Sequence, residues 1–210
     1  MNNSPIQFSS DAPRLSVVIP VYNEEDGLNA LFDRLYPALD QITSQFALSY
    51  EIVFVNDGSK DRSAAILAMQ YEKRPDVTRV VLFANNFGQH MAIMAGFEYA
   101  RGEYVITLDA DLQNPPEEIR KIVRQLEEGH DYVGTIRENR QDSWFRKSAS
   151  RAMNHLRDKM TRITMTDQGC MMRGYHRRII NLVSQCQEAN TFIPALAYTF
   201  ANNPIEITVK

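Results

Sequence analysis

Three short runs in the first half of the chain, Leu15 to Ile19, Tyr50 to Val55 and Val77 to Phe83, are apolar almost throughout instead of alternating with polar residues. Strands apolar on both faces lie between two layers, as parallel strands flanked by helices do. Further β-rich runs follow at Tyr104 to Leu108 and Asp131 to Ile136. Helical patterns lie between them at Glu24 to Phe46, Asp61 to Tyr71, Gln89 to Ala100 and Pro116 to Glu128. This βαβα alternation predicts an α/β, doubly wound, mostly parallel sheet whose ligand crevice opens outside the carboxyl ends of the strands. The 210 residues, 44% of them hydrophobic, suffice for a single buried core.

Function is therefore sought just after each strand. The segments there are Pro20-Val21-Tyr22-Asn23-Glu24-Glu25, Asn56-Asp57-Gly58-Ser59, Asn85-Asn86-Phe87-Gly88 and Asp109-Ala110-Asp111-Leu112-Gln113-Asn114, all polar and all on one rim. The alternating Asp109, Asp111 and Gln113 present hard oxygen donors of the kind that suits Mg²⁺ or Mn²⁺, which take remaining ligands from water and substrate phosphates. Such a cation stabilises a leaving diphosphate. The competing reading is that these carboxylates cap the helix beginning at Pro115-Pro116. Asp57 can accept a hydrogen bond from the ring N–H of a uracil or guanine base, while Ser59 reads as the N-cap of the following helix. Asn23 and Glu24 either start the first helix or line a nucleoside pocket beside Asp57.

Other chemistries are excluded at their defining residues. No G-x-G-x-x-G follows the first strand and no G-x-x-x-x-G-K-[ST] occurs, which removes dinucleotide and P-loop readings. Cys170 and Cys186 show neither zinc nor disulfide spacing and read as reduced thiols of a cytosolic compartment. His90, His130, His155 and His176 share no ligand spacing and read as structural or surface residues. A net charge of -3 gives no reason to expect nucleic acid as a partner. No run reaches the roughly 18 to 20 apolar residues of a membrane span, and the N-terminus lacks a signal-peptide h-region, so the chain reads as soluble. It ends on Ile205 to Lys210 (IEITVK), strand-like and without a cap or polar tail, as a sequence cut short would.

Together these segments resemble glycosyltransferase family 2, in which a V-I-P-x-Y-N-E start, a D-D-G-S-like second loop and a D-x-D after the fourth strand recur in this order. The stretches Gly88 to Phe97, Thr107 to Ile119, Arg140 to Lys147 and Thr191 to Pro194 are similar to the polyprenyl-phosphate glycosyltransferases within it. The resemblance implies a GT-A-like fold and inverting, metal-dependent transfer of a sugar from a UDP-sugar to a polyprenyl phosphate, in lipid A modification at the cytoplasmic face of the inner membrane. It places Pro20, Tyr22, Asn23, Glu24 and Asp57 at the nucleotide, with Asp109, Asp111 and Gln113 at ribose, diphosphate and metal. Arg137 falls at phosphate and Asp167 near the acceptor. Asn56 stands where Asp is commoner, which touches only a secondary contact. Family members of this type carry membrane helices after the catalytic domain.

The resulting division is an arm over residues 1–13, a nucleotide-sugar half over 14–136 and an acceptor half over 137–210. From Arg137 to Arg162 eight Lys or Arg face three acids, a local +5. With an apolar stripe through Trp144, Phe145, Ala149, Ala152, Met153 and Leu156, this segment suits an anionic membrane surface, or else packs its stripe into the core. The alternatives are transfer of glucose or another sugar to the lipid, transfer to a hydroxyl acceptor with Asp167 as base, and a nucleotide-sugar binder without turnover. Donor, lipid length and assembly into a homo-oligomer are left open.

Overall fold

The computed structural model describes residues 12–138, 169–186 and 192–210. The elements are β1 (Leu15–Val21), α1 (Leu28–Phe46), β2 (Tyr50–Asn56), α2 (Ser63–Lys73), β3 (Thr78–Leu82), α3 (Gln89–Tyr99), β4 (Tyr104–Thr107), α4 (Ile119–Glu127), β5 (Tyr132–Arg137), β6 (Arg173–His176), α5 (Arg177–Gln185), α6 (Ile193–Phe200) and β7 (Pro204–Val209). A short 3-10 turn at Pro116–Glu118 precedes α4. The helix expected near Tyr175 to Cys186 is thus a strand followed by a helix.

The seven strands form one sheet in the order β3-β2-β1-β4-β6-β5-β7. β1, β2, β3 and β4 pair in parallel, as do β5 and β7; β6 runs antiparallel to both neighbours. The mixed, mostly parallel α/β sheet is the expected one. Residues after 137 are built into it, because β6 and β7 pair with β4 and β5.

Burial on both faces explains the unbroken apolar runs of β1 and β2. In β1 the side chains of Val17 and Ile19 join α1 on one face, while Val18 faces α3 on the other. The expectation fails for β3, which is the edge strand: only Thr78 of it is buried, and Leu82 is 60% exposed. Its apolar composition serves pairing and partial cover. α4 shows the complementary pattern, with Ile119, Ile122, Val123 and Leu126 buried at helical spacing and charged residues between them.

Two contacts hold the layers close. Gly96 of α3 lies so near β1 that a Cβ would stand 2.2 Å from Val18 Cγ1. Glu51, 2% exposed within the sheet, accepts from Ser16 Oγ at 2.8 Å, Arg79 Nε at 2.6 Å and the Arg101 backbone N–H at 2.7 Å. Burial alone would raise its pKa, but these donors outweigh it and hold the carboxyl below its ordinary value.

Candidate active site

The loops after β1, β2, β3 and β4 meet around a cavity of about 250 Å³. Pro20, Val21, Tyr22 and Glu24 line it from the first loop, Asp57 from the second, Asn86, Gly88 and Gln89 from the third, and Asp109, Ala110 and Asp111 from the fourth. Six of the expected nucleotide and metal positions, Pro20, Tyr22, Glu24, Asp57, Asp109 and Asp111, therefore share one pocket. Asn23 and Gln113 lie outside its lining.

The first two loops are laced together. Asn23, at φ 54, begins no helix; its Oδ1 accepts from Lys60 N at 2.8 Å, and its own N–H donates to Ser59 Oγ at 3.0 Å. Ser59 therefore does not cap α2, which starts four residues later, at Ser63. Asp61 does the local work instead, accepting from the N–H of Ser63 and of Glu25. α1 likewise begins only at Leu28, because Glu24 is held by its N–H donation to Ser63 Oγ at 2.9 Å.

Asp57 is 2% exposed, and its two carboxylate oxygens accept from the N–H groups of Phe87 (2.7 Å) and Gly88 (2.9 Å). It shapes the third loop while still lining the pocket. That loop crosses so close behind Gly58, at φ +63, that a Cβ there would lie 2.3 Å from the Asn85 carbonyl carbon. Only glycine meets both demands.

The fourth loop departs from the alternating geometry expected for Asp109, Asp111 and Gln113. It leaves β4 as a turn with Leu112 at φ 59, and the Gln113 N–H donates to Asp111 Oδ1 at 3.0 Å, leaving Gln113 on the exposed bend. Neither aspartate caps a helix: the 3-10 turn's N-cap position is Pro115. Asp109 accepts from Gln89 Nε2 at 2.9 Å. Burial, and next the charge of Asp111, push the Asp109 carboxyl up to about 6, against the pull of Gln89 and Arg137. Glu24 is raised too, by burial and then by Asp111 and Asp61.

These like charges at a pocket mouth fit a divalent cation. Among the described residues no cluster of three or more His, Cys, Asp or Glu forms a cage. Two carboxylates open to a cavity suit a metal that completes its shell from water and a diphosphate. Arg137, at the end of β5, lies within electrostatic reach of Asp109. Asp167 and the basic stretch from 139 to 162 lie outside the described residues.

Sequence reasoning gave no role to Gln89, which reaches Asp109 and lines a second cavity as well. Its signal, the first residue of a helix after a polar strand end, is shared by many inert positions. His130 and His176 are structural, as expected: His130 Nδ1 pairs with the Asn203 carbonyl, and His176 Nδ1 accepts from Arg178 N. Both cysteines are free thiols.

Residues 16–183 match the model of glycosyl transferase family 2. The chain belongs to that family. It is 53% identical over 196 residues to the undecaprenyl-phosphate 4-deoxy-4-formamido-L-arabinose transferase of Serratia proteamaculans (strain 568), covering 93% of this chain and 59% of the relative. The protein of the same name from Aeromonas hydrophila subsp. hydrophila is 49% identical over 209 residues, covering 100% of this chain and 61% of the relative. The chain thus spans about three-fifths of the length of these curated relatives.

Among solved structures, glucosyl-3-phosphoglycerate synthase from Mycobacterium tuberculosis, in complex with Mn²⁺, UDP and phosphoglyceric acid, superposes with TM-score 0.66 at 20% identity, covering 94% of this chain and 69% of that one. The mannosyltransferase PcManGT from Pyrobaculum calidifontis, in complex with GDP-Man and Mn²⁺, gives TM-score 0.66 at 19% identity, over 98% of this chain and 59% of that one. At such identities the likeness establishes the fold, which is of the GT-A type.

Proposed function

We propose that this family 2 chain is the catalytic part of an inverting transferase that moves 4-deoxy-4-formamido-L-arabinose from a UDP-sugar to undecaprenyl phosphate, with Mg²⁺ or Mn²⁺. The observation that carries the reading is the Asp109–Asp111 pair facing the same cavity as Asp57 in a chain half identical to transferases of that name. Pro20, Tyr22, Asn23, Glu24 and Asp57 serve the nucleotide, Arg137 a phosphate, and Asp109 and Asp111, with Gln113, the metal.

When bound, the cation offsets the negative charge that develops on the departing diphosphate. The chain's own residues prepare for it. Asp57 sets the course of the third loop and so delivers Gln89 to Asp109, fixing one carboxylate oxygen and leaving the other for the cation. The acceptor needs little deprotonation, since a phosphomonoester's second pKa is about 6. Asp167 then orients the acceptor and abstracts no proton. The +5 stretch from Arg137 to Arg162 supports work at an anionic membrane, on the cytoplasmic face of the inner membrane. No helix among the described residues is long and apolar enough to cross one.

The test is calorimetric titration of UDP with and without Mn²⁺, followed by transfer assays with undecaprenyl phosphate. In Asp111→Asn, Mn²⁺-dependent UDP binding falls sharply; binding equal to wild type would refute the metal assignment.

A further inference from the structure

Beyond Gln89 lies a second cavity of about 140 Å³, whose chemistry differs from the first. Its walls are Ile93 of α3, Met171 before β6, and Phe192, Ile193 and Pro194 at the start of α6. Thr107 and Tyr175 close it, but the Thr107 hydroxyl is spent on the Met171 carbonyl at 2.6 Å, and Tyr175 is 1% exposed. Among the described lining residues there is no carboxylate, lysine or arginine. The polar groups left are the Gln89 amide, one N–H of which is donated to Asp109, and the imidazole of His90, which has no hydrogen-bond partner among the described residues.

The position matters as much as the lining. Gln89 belongs to both cavities, so the second lies one side chain away from the carboxylate pair. A sugar carried on a diphosphate held at Asp109 and Asp111 would have this cavity within reach. An apolar hollow with one open imidazole is a poor host for a ring bearing a hydroxyl on every carbon. It is a worse one for an ammonium group, which would lose water and find no carboxylate in the lining. A neutral formamide in place of one hydroxyl brings one N–H donor and one carbonyl acceptor but no charge, and packs its carbon edge on apolar walls.

We propose that this second cavity receives the 4-substituent of the donor sugar, and that His90 within it selects a formamido group over a free amine. The inference rests on the UDP-sugar reading above. His90 acts as a specificity residue and takes no part in bond making. Discrimination by a buried polar group left unpaired with the wrong ligand is the stronger form of substrate selection, and the missing carboxylate adds rejection of the charged analogue.

The experiment measures dissociation constants of the chain with Mn²⁺ for three probes: UDP, UDP-4-deoxy-4-formamido-L-arabinose and UDP-4-amino-4-deoxy-L-arabinose. Wild type binds the formamido donor at least about tenfold more tightly than the amino donor, as one hydrogen-bonded group can achieve. His90→Leu weakens the formamido donor about tenfold, His90→Gln restores much of the loss, and both bind UDP as wild type does. Phe192→Asp, which places a carboxylate at the 42% exposed mouth, improves binding of the amino donor and narrows the ratio. An unchanged ratio in His90→Leu and Phe192→Asp, or a parallel loss of UDP affinity in His90→Leu, would overturn the assignment. Failure of wild type to bind any uridine nucleotide with Mn²⁺ would overturn the UDP-sugar reading itself, and this inference with it.

Discussion

Asp57 invites the reflex reading that a carboxylate in a pocket exists for the ligand, yet both of its oxygens are already engaged by the chain, at Phe87 N and Gly88 N. Asp57→Asn isolates that internal role. The substitution preserves size and one acceptor oxygen but turns an NH₂ group toward the second N–H donor. One hydrogen bond to a charged acceptor disappears and a part-buried N–H loses its partner, a cost of about 1–3 kcal/mol. Because Phe87 and Gly88 lie near the surface, where water relieves some of the penalty, we expect about 2 kcal/mol. For a chain of this size that corresponds to a fall in Tm of roughly 4–8 °C. Thermal and urea melts without nucleotide read the loss, and amide hydrogen exchange at Phe87 and Gly88 locates it. A variant with wild-type Tm and unchanged exchange would show that the two bonds do not hold the loop, and would return Asp57 to a purely ligand-facing role.

Other outcomes follow from the same geometry. Gly58→Ala combines a left-handed φ of +63 with a 2.3 Å approach to the Asn85 backbone, so it loses about 2 kcal/mol or more and disorders the third loop, measured by melts and by weakened UDP binding. Glu51 has a folded-state pKa below its unfolded one, so its contribution is present above the unfolded value, about 4.3, and is lost as pH falls through the folded value. Glu51→Gln is therefore less stable than wild type at neutral pH, and its urea midpoint declines less steeply than wild type's as pH falls below about 4.3. Equal slopes would argue against the linkage.

The parallel half of the fold was legible because its central strands β1 and β2 are covered on both faces and so largely apolar, and because polar residues cluster at the strand ends around the crevice. β6 was not legible. Its sequence, Arg173-Gly174-Tyr175-His176, has a charged residue, a glycine and no alternation, and Arg173 is tolerated at 0% exposure because its Nη1 meets Tyr132 Oη at 2.6 Å, forty-one positions away. No local pattern announces such a partner. Ser59 illustrates the reverse error: a serine before a helical run has the composition of a cap, but an N–H from another loop claimed its hydroxyl. The site divided in the same way. Asp57, Asp109 and Asp111 could be found from charge at strand ends, whereas the second cavity is assembled from α3, β4, β6 and α6, elements far apart in sequence. A lone histidine such as His90 has no signature until those walls surround it.

The insertion of β6 between β4 and β5 has a consequence for the order in which the protein can be completed on the ribosome. By the time residue 108 has emerged, β3, β2, β1 and β4 can already associate, since every pairing among them is parallel and bridged by a helix made in between. At that stage the far edge of β4 is bare, and β4 carries the turn with Asp109 and Asp111. Its second neighbour arrives only with Arg173 to His176, roughly seventy residues later. β5 must wait as well, because it reaches the sheet through β6 and is then covered by β7. The nascent chain therefore holds an open strand edge beside the Asp109–Asp111 turn for roughly seventy residues, the interval in which an unpaired edge is most exposed to wrong pairing.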